Sequence, residues 1–207
     1  MFKGEIMDIK MQPMGVYQTN CYILTVDNQD IIIDPGVDAT SWVIENTTNP
    51  IAILNTHGHF DHVWSNAELK KYFDIPIYAP KDDAFMLSND PLNQGTPKST
   101  PDYLVNGDEI INLNGIELKF RHFAGHTEGC SIIEIGDIWF SGDFLFKSSI
   151  GRWDFPASDG KKMIESLKKA QKIKENYTIY CGHGESTTLR EEQQFMPYWA
   201  EQVRASL

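Results

Sequence analysis

Short apolar runs alternate with polar segments along the first part of the chain. Residues 22–26 and 31–36 are two β-type runs separated by the polar turn 27–30, which predicts a β-hairpin. Residues 41–46 are a candidate short helix, and the apolar run 51–54 is typical of a buried strand. This mixture of strands and helices indicates an α/β fold.

Helices are predicted at four places further along the chain. Ser65 and Glu68 have the spacing of a capping box, and apolar residues follow them at helical intervals. Residues 81–87 are another helix candidate. Residues 159–176 form the clearest amphipathic pattern, and residues 189–205 predict a terminal helix.

The rest of the chain reads as strands and one long connection. Strands are predicted at residues 75–80, 109–123 (folded at Asn114-Gly115), 131–135, 138–140 and 177–180. Residues 88–106 lack apolar periodicity and predict a long irregular connection. Such a connection either covers a site or is a passive surface excursion.

Composition narrows the class of protein. A chain of 207 residues with 41% hydrophobic residues predicts a single domain spanning residues 1–207. The net charge of −11 argues against binding to nucleic acid, which requires clustered Lys and Arg. Neither the first eight residues nor any later stretch has the apolar length of a membrane span. Three scattered cysteines without a Cys-x-x-Cys pair indicate no disulfide framework, so we expect a soluble protein in the reducing cytoplasm.

Four side chains that can bind metals fall within six residues, directly after the strand 51–54: His57, His59, Asp61 and His62. A helix would place His57 and His59 about 200° apart, so their convergence on one ion requires extended or loop backbone. The motif therefore predicts a loop at the end of a strand, which feeds two neighbouring metal sites. The alternative is a polar loop whose histidines satisfy each other.

Three later loops, 124–127, 141–144 and 181–184, repeat this arrangement. Each places a glycine directly before a possible ligand, which is His126, Asp143 or His183. Glycine permits the tight turns and close approach of backbone that a preformed metal site needs. Five of the six histidines lie in these loops and the 57–62 motif. The sixth, His122, is interpreted as a strand histidine that bonds to a backbone group.

The order of these motifs from residue 57 to residue 183 resembles that of the metallo-β-lactamase superfamily. The resemblance implies a four-layer αβ/βα sandwich with metals at one edge between two sheets. It also implies two divalent metal ions, with Asp61 and Asp143 as catalytic carboxylates. The implied ligands are His57, His59 and His126 for the first ion, Asp61, His62 and His183 for the second, and Asp143 as the bridge.

Within that superfamily, residues 141–146, 149–156 and 182–189 resemble the glyoxalase II branch. Asp34, in Asp34-Pro35-Gly36, also matches and is implied to fix the loop of His57. The chain ends soon after His183, so we expect no C-terminal helical domain of the kind that binds glutathione in full-length glyoxalase II. Five departures from the branch are expected to alter the pocket wall: Cys130, Phe144, Trp153, Cys181 and Glu185.

The implied chemistry is hydrolysis of an acyl thioester such as a hydroxyacyl-glutathione. Two divalent ions about 3.5 to 4 Å apart would share a water of near-neutral pKa, and the resulting hydroxide would attack the acyl carbon. A thiol has a pKa of about 8.5, so the thiolate leaves without a strong general acid. Zinc is expected, with iron or manganese possible, because His and Asp sites accept all three.

The region around residue 152 is expected to contact the substrate. Arg152 is a candidate for binding a substrate carboxylate through its fork of donors, and the alternative is an internal pair with Asp154. Four aromatic side chains are predicted either to line an apolar pocket or to pack in the core: Phe144, Phe146, Trp153 and Phe155.

Two other functions remain open from the sequence. A mononuclear-iron persulfide dioxygenase is similar in the 151–155 segment, and that resemblance implies iron held by His57, His126 and Asp143 alone. A scaffold stabilised by metal but without activity is the third possibility. The pattern does not indicate an oligomeric state.

Overall fold

A computed structural model describes residues 7–207 of the chain. The prediction that no apolar leader is present concerns residues 1–6 in large part, and these lie outside the described residues. The strands are β1 (Met7–Met14), β2 (Thr19–Val26), β3 (Gln29–Ile33), β4 (Pro50–Leu54), β5 (Ile77–Pro80), β6 (Tyr103–Val105), β7 (Glu109–Leu113), β8 (Ile116–His122), β9 (Ser131–Ile135), β10 (Ile138–Gly142), β11 (Leu145–Phe146), β12 (Ser149–Ile150), β13 (Thr178–Cys181) and β14 (Thr187–Thr188).

Seven α-helices connect or flank these strands within residues 7–207. They are α1 (Ala39–Asn46), α2 (Phe60–Val63), α3 (Asn66–Phe73), α4 (Ala84–Asn89), α5 (Gly160–Gln171), α6 (Leu189–Glu192) and α7 (Met196–Ala205). A short 3-10 turn, Lys81–Asp83, precedes α4. Across residues 7–207, no helix combines the length and the apolar character needed to cross a bilayer.

The strands form two large sheets of six. The first has the order β1-β2-β3-β4-β5-β6 and the second the order β14-β13-β10-β9-β8-β7. In each sheet, antiparallel hairpins adjoin parallel pairs, as at β3–β4 and β10–β13. Strands β11 and β12 form a separate small hairpin.

Alternation along the central strands produces the layers. In β3, Ile31 and Ile33 point into the core between the two sheets, whereas Ile32 packs against the outer helices α1 and α3. All three are fully buried, as expected for a strand covered on both faces. Helices α5 and α7 cover the other sheet through residues such as Met163 and Val203. The order helix, sheet, sheet, helix confirms the predicted four-layer α/β sandwich.

The capping box predicted at Ser65 is wrong, although helix α3 does begin there. Ser65 Oγ donates to the carbonyl of Gly36 at 2.7 Å and makes no cap bond to its own helix. Glu68 instead accepts from Thr40 Oγ1. Hydrogen bonds to neighbouring segments therefore replace the local ones.

The connection predicted at residues 88–106 is shorter than expected. Helix α4 continues to Asn89, and β6 closes the parallel edge of the first sheet. Asp102 fixes the start of β6 by accepting from the amide of Ile77 in β5 and from Lys70 Nζ. These partners are far away in sequence, so the apolar pattern did not reveal the strand.

Other boundaries also differ from the prediction. Helix α5 ends at Gln171 rather than near 176, and the terminal helix is divided into α6 and α7, with Pro197 in the first turn of α7. Strand β1 was not predicted, although apolar and polar residues alternate along it, and the strand is mostly exposed.

Candidate metal centre

The predicted ligands lie where strands of both sheets end. His57 and His59 follow β4, while Asp61 and His62 lie in the short helix α2. The other three ligands follow strands of the second sheet: His126 after β8, Asp143 after β10 and His183 after β13. The 57–62 motif is thus part loop and part helical turn.

Six of the seven residues form two adjoining clusters of three, and Asp143 is close to both. His57, His59 and His126 each offer one nitrogen within 4.8 Å of the others, and all three residues are buried. Asp61, His62 and His183 form a second group by the same criterion. These sets are those implied by the motif order for the first and second ion.

Asp143 lies between the two clusters. Its Oδ2 is 3.4 Å from His126 Nε2 and 3.4 Å from His183 Nε2. Its Oδ1 is 3.2 Å from His62 Nε2. One carboxylate therefore contacts imidazoles of both clusters, as a bridging ligand must.

Four of the imidazoles are held by their Nδ1 atoms. His62 Nδ1 donates to Asp34 Oδ2 at 2.9 Å, and His126 Nδ1 donates to the carbonyl of Arg152 at 2.8 Å. His183 Nδ1 donates to the carbonyl of Tyr17, and His57 Nδ1 bonds to Thr56 Oγ1. Because Nδ1 carries a proton in this arrangement, Nε2 is the nitrogen that each ring can offer to a metal ion, once any proton on Nε2 is displaced.

Several atoms at the centre are buried without a hydrogen-bond partner. They are the Nε2 atoms of His57, His59 and His62 and the Oδ1 atom of Asp143, the last two being 3.2 Å apart without hydrogen-bond geometry. An unpaired polar atom in the interior is costly, so such atoms normally have a ligand or a partner. His59 Nδ1 also lies only 2.8 Å from His126 Nε2, so two nitrogens that can each bind a metal ion are adjacent. The donor set fits divalent cations.

The carboxylates and imidazoles at the second cluster shift one another's pKa values. Burial raises the pKa of Asp61, but the adjacent His62 and His183 prevail and lower it to about 2. Burial lowers the pKa of His183, yet the carboxylates of Asp143 and Asp61 raise it to about 9. Burial also raises the pKa of Asp143, but His62 and His183 hold it well below its usual range. Both carboxylates are therefore ionised at neutral pH and suited to a cation.

Asp34 connects the two ligand-bearing parts of the motif. Its Oδ1 accepts from the amide of Thr56 at 2.8 Å, and its Oδ2 accepts from Thr56 Oγ1 at 2.6 Å. The same Oδ2 accepts from His62 Nδ1. This geometry supports the role implied for Asp34 in fixing the loop before His57.

Asp83 is a buried carboxylate that the sequence analysis did not identify. It accepts from the amide of Gly58 at 3.0 Å, between His57 and His59. It also accepts from Thr127 Oγ1 at 2.6 Å and from the amide of Gly129 at 2.7 Å. Asp83 thus holds the loops of the first cluster together, and no local motif marked it.

Glycines allow the ligand loops to approach one another. A Cβ on Gly182 would lie 2.2 Å from Asp143 Oδ1, and a Cβ on Gly151 would lie 1.7 Å from the Asp143 carbonyl oxygen. A Cβ on Gly36 would lie 2.0 Å from the carbonyl oxygen of Asp61. The glycine before His183 is therefore required by space, as the loop pattern predicted.

A cleft of about 370 Å³ opens onto both clusters. Half of its lining comes from the ligand residues His59, Asp61, His126, Asp143 and His183. The remaining lining residues are Tyr17, Phe60, Leu92, Gln94 and Phe155. Leu92 and Gln94 belong to the connection after α4, so part of that connection covers the site.

Arg152 does not line this cleft. Its Nε and Nη2 donate to the two carboxylate oxygens of Asp154 at 2.8 and 2.7 Å, which is the internal pair considered from the sequence. Its guanidinium carbon lies 4.2 Å from the centroid of the Phe155 ring. Its backbone carbonyl, rather than its side chain, contacts the metal ligands, by accepting from Nδ1 of His126.

The expectation that departures from the glyoxalase II pattern alter the pocket wall is wrong for this cleft. Cys130, Phe144 and Cys181 belong to the core beneath α5 and α7, and Trp153 packs against it. Glu185 is exposed and pairs with Lys147. Of the four aromatic candidates only Phe155 lines the cleft, whereas Phe146 lies beside His183.

His122 behaves as expected for a histidine outside the site. Its Nε2 lies 2.8 Å from the carbonyl oxygen of Glu128, to which it donates.

All three cysteines are free and buried, and burial raises the pKa of the thiols of Cys21 and Cys130.

Comparison with known sequences places this arrangement among metal-dependent proteins. The family model described as the metallo-β-lactamase superfamily matches residues 14–183. A protein named hydroxyacylglutathione hydrolase GloC, from Haemophilus influenzae, is 33% identical over 207 residues, which cover 93% of this chain and 98% of that protein.

Comparison with solved structures agrees in fold. The B3 metallo-β-lactamase BLEG-1 superposes with a TM-score of 0.84 at 29% identity, covering 93% of this chain and 99% of that one. TTHA1623, solved in a di-iron-bound form, has a TM-score of 0.78 at 30% identity and covers 91% of this chain and 99% of its own.

Proposed function

Because the chain belongs to the metallo-β-lactamase superfamily, whose members are mostly metal-dependent hydrolases, we propose that it is a binuclear hydrolase of the glyoxalase II type acting on acyl thioesters. The observation that carries the proposal is the position of Asp143. Its two oxygens lie 3.2 Å from His62 Nε2 and 3.4 Å from His126 Nε2, so a single carboxylate serves both clusters. The relative named hydroxyacylglutathione hydrolase supports the choice of a thioester.

The residues that would hold the ions are those of the two clusters. His57, His59 and His126 would hold one ion, and Asp61, His62 and His183 the other, with Asp143 between them. When bound, divalent ions supply Lewis acidity that polarises an acyl carbonyl and lowers the pKa of water towards neutrality. Zinc remains our proposal, with iron or manganese as alternatives.

The carboxylates contribute orientation more than basicity. The pKa of Asp61 is lowered to about 2, and a carboxylate so acidic is a weak general base. Thr19 Oγ1 donates to Asp61 Oδ2 at 2.7 Å and fixes this side chain at the cleft wall. We therefore assign Asp61 and Asp143 to holding cations and to accepting a hydrogen bond from the attacking water.

The leaving group explains the preference for a thioester. The cleft presents histidines, two acidic carboxylates, the phenol of Tyr17, one amide and apolar side chains. The acidic carboxylates are ionised and a phenol is only a weak acid, so the expelled group should be stable as an anion. A thiolate meets this condition because the pKa of a thiol is about 8.5, far below that of an alcohol.

A metal-dependent assay tests the proposal. Protein loaded separately with zinc, manganese or ferrous iron is offered a thioester, a β-lactam and a persulfide, and thiol release, lactam opening and oxygen uptake are recorded. We expect thiol release that disappears with a chelator. Asp143→Asn should reduce it by about 100-fold or more, whereas Asp137→Asn, in an exposed turn of the same hairpin, should not.

Two outcomes would contradict the proposal. Protein with two bound ions that hydrolyses no thioester would remove the assignment of substrate. One bound ferrous ion with oxygen uptake on a persulfide would support the mononuclear dioxygenase instead, which needs only His57, His126 and Asp143.

A further inference from the structure

The part of the cleft outside the metal ligands is mostly apolar. Tyr17 and Phe60 form one wall, with their rings edge to face at 5.0 Å between centroids. Phe155 also lines the cleft, 5.9 Å from the His59 ring. Leu92 and the neutral Gln94 complete the lining. A substrate entering the cleft therefore meets hydrocarbon next to the reacting centre.

No Lys or Arg is among the described residues that line the cleft. Of the cations in adjoining segments, Lys98 is exposed and outside the lining, and the two that follow Asp143 are already paired. Arg152 gives two donors to Asp154, and Lys147 bonds to Glu185. Carboxylate recognition in proteins usually depends on free Arg or Lys donors, so the cleft is poorly equipped to bind a substrate through its carboxylates.

Leu92 lies in a loop that is closed by hydrogen bonds to Asp90. Asp90 accepts from the amides of Gln94, Gly95 and Thr96 and from Thr96 Oγ1, at distances of 2.7 to 3.2 Å. These bonds close the turn that carries Leu92 over the cleft. A fixed apolar wall can discriminate between substrates by the hydrocarbon they bury.

On the basis of the proposed function, we infer that the cleft selects thioesters by an uncharged apolar acyl group and draws no affinity from the carboxylates of a glutathione carrier. The acyl chain lies against Leu92, Phe60 and Phe155. The thiol carrier contributes its sulfur and the amide next to it. This substrate class differs from hydroxyacyl-glutathione in both halves of the molecule.

Two matched substrate series test this inference on the metal-loaded protein. In the first, acetyl, butyryl and hexanoyl thioesters of N-acetylcysteamine are compared. Because each buried methylene contributes about 0.8 kcal/mol, kcat/KM should rise about two- to fourfold per methylene in this partly open cleft. In the second, each acyl group is presented on glutathione, and kcat/KM should stay within about threefold of the N-acetylcysteamine value.

A binding measurement separates recognition from turnover. Calorimetry compares S-hexylglutathione with S-hexyl-N-acetylcysteamine, two thioethers that cannot be hydrolysed. We expect dissociation constants within about threefold of each other, because the shared hexyl group provides the affinity.

A pair of leucine variants locates the selectivity. Leu92→Ala should reduce the ratio of hexanoyl to acetyl kcat/KM by about threefold or more and weaken both thioethers. Leu104→Ala changes a leucine that is 49% exposed on β6 and absent from the cleft, and it should leave the ratio unchanged.

The outcomes distinguish this inference from the proposed function. If no thioester is hydrolysed by protein that holds two ions, both fail. If thioesters are hydrolysed but glutathione improves kcat/KM or binding by about tenfold or more, only the inference fails. A flat dependence on chain length, or an unaltered ratio in Leu92→Ala, also overturns the inference alone.

Discussion

At the scale of single residues, the metal centre depends on acceptors that hold its loops from outside. Asp34 and Asp83 are each buried, and each accepts three hydrogen bonds from different segments. Asp34 orients His62 by accepting from its Nδ1, whereas Asp83 accepts from the backbone amides of Gly58 and Gly129. Mutation of residues that position metal ligands in this way commonly lowers metal affinity by about 10- to 100-fold.

Asp83→Asn should weaken the first cluster without removing a ligand. The amide NH₂ of Asn cannot accept, so it would face N–H or O–H donors and lose at least one bond, at a cost of about 1–3 kcal/mol. We expect a lower free energy of unfolding in the metal-free protein and at least tenfold weaker binding of one ion, measured by denaturation and by competition with a chromophoric chelator.

Asp82→Asn is the matched control, because Asp82 is adjacent and exposed. It should behave as the unaltered protein in both measurements. Equal metal affinity in Asp83→Asn and Asp82→Asn would show that Asp83 is a structural residue with no influence on the site.

The ligands could be predicted from sequence, but the residues that position them could not. His57 to His62 form a compact motif, and Gly-His and Gly-Asp pairs mark the other three ligands. Asp83 contacts residues 25, 44 and 46 positions away, and Thr19 contacts Asp61 from 42 positions away. Contacts at such separation leave no local pattern.

At the scale of elements, the site is formed by strand ends that approach without side chains between them. The amide of Gly182 donates to the carbonyl of Gly142 at 2.8 Å, which joins the loops of His183 and Asp143. A side chain at Gly182 would occupy the place of the Asp143 carboxylate. Close backbone contact is therefore a condition for the bridge.

Gly182→Ala should displace Asp143 and lower the number of bound ions below two. The new Cβ would lie 2.2 Å from Asp143 Oδ1, closer than any non-bonded carbon and oxygen can approach. Metal content after dialysis against zinc measures the effect, and denaturation shows whether the variant folds.

Gly184→Ala provides the comparison two residues later. Its Cβ would meet nothing within 4 Å, although its φ of +74° makes alanine strained. It should lose about 1 kcal/mol of stability and still bind two ions. If Gly184→Ala lost metal as completely as Gly182→Ala, backbone strain rather than the clash would be responsible.

Strands with continuous apolar runs were predicted, whereas the two edge strands of the first sheet were not. Strands β2, β3 and β4 are buried on both faces and appear as continuous apolar runs. Strands β1 and β6 lie at the two edges of the first sheet and are mostly exposed, so neither has a long continuous apolar run. Helix α5 was recognised by its periodicity but ends earlier than predicted.

At the scale of the whole molecule, the metal centre spans the two halves of the sandwich. Four ligands come from the first half and three from the second. The amide of Asn20 in β2 donates to the carbonyl of Gly182 at 2.7 Å, and Tyr22 OH donates to the carbonyl of Cys181 at 2.6 Å. The loop of His183 is thus held by the opposite sheet, and bound ions would add further links.

Removal of metal should therefore lower the stability of the entire fold. Ions present at about 100 times their dissociation constant contribute about 2.7 kcal/mol, which corresponds to a fall of about 5–10 °C in Tm. Scanning calorimetry with and without a chelator measures it. His122→Ala should keep this shift and His57→Ala should lose most of it, while a Tm indifferent to chelator in the unaltered protein would refute the link between halves.

The arrangement of layers followed from the resemblance rather than from periodicity. Apolar patterns indicated α/β, yet they did not show that strands 2–4 and strands 8–10 face each other across one core. Pairing between distant strands depends on tertiary contacts, and a family likeness carries that information where local patterns do not.

The number of ions bound per chain tests the central claim most directly. Protein purified without added metal, stripped and then titrated with zinc should bind two ions per chain, counted by native mass spectrometry and by elemental analysis. Asp143→Asn should bind fewer. Saturation at one ion, or no binding at all, would contradict a centre built from His57 to His183.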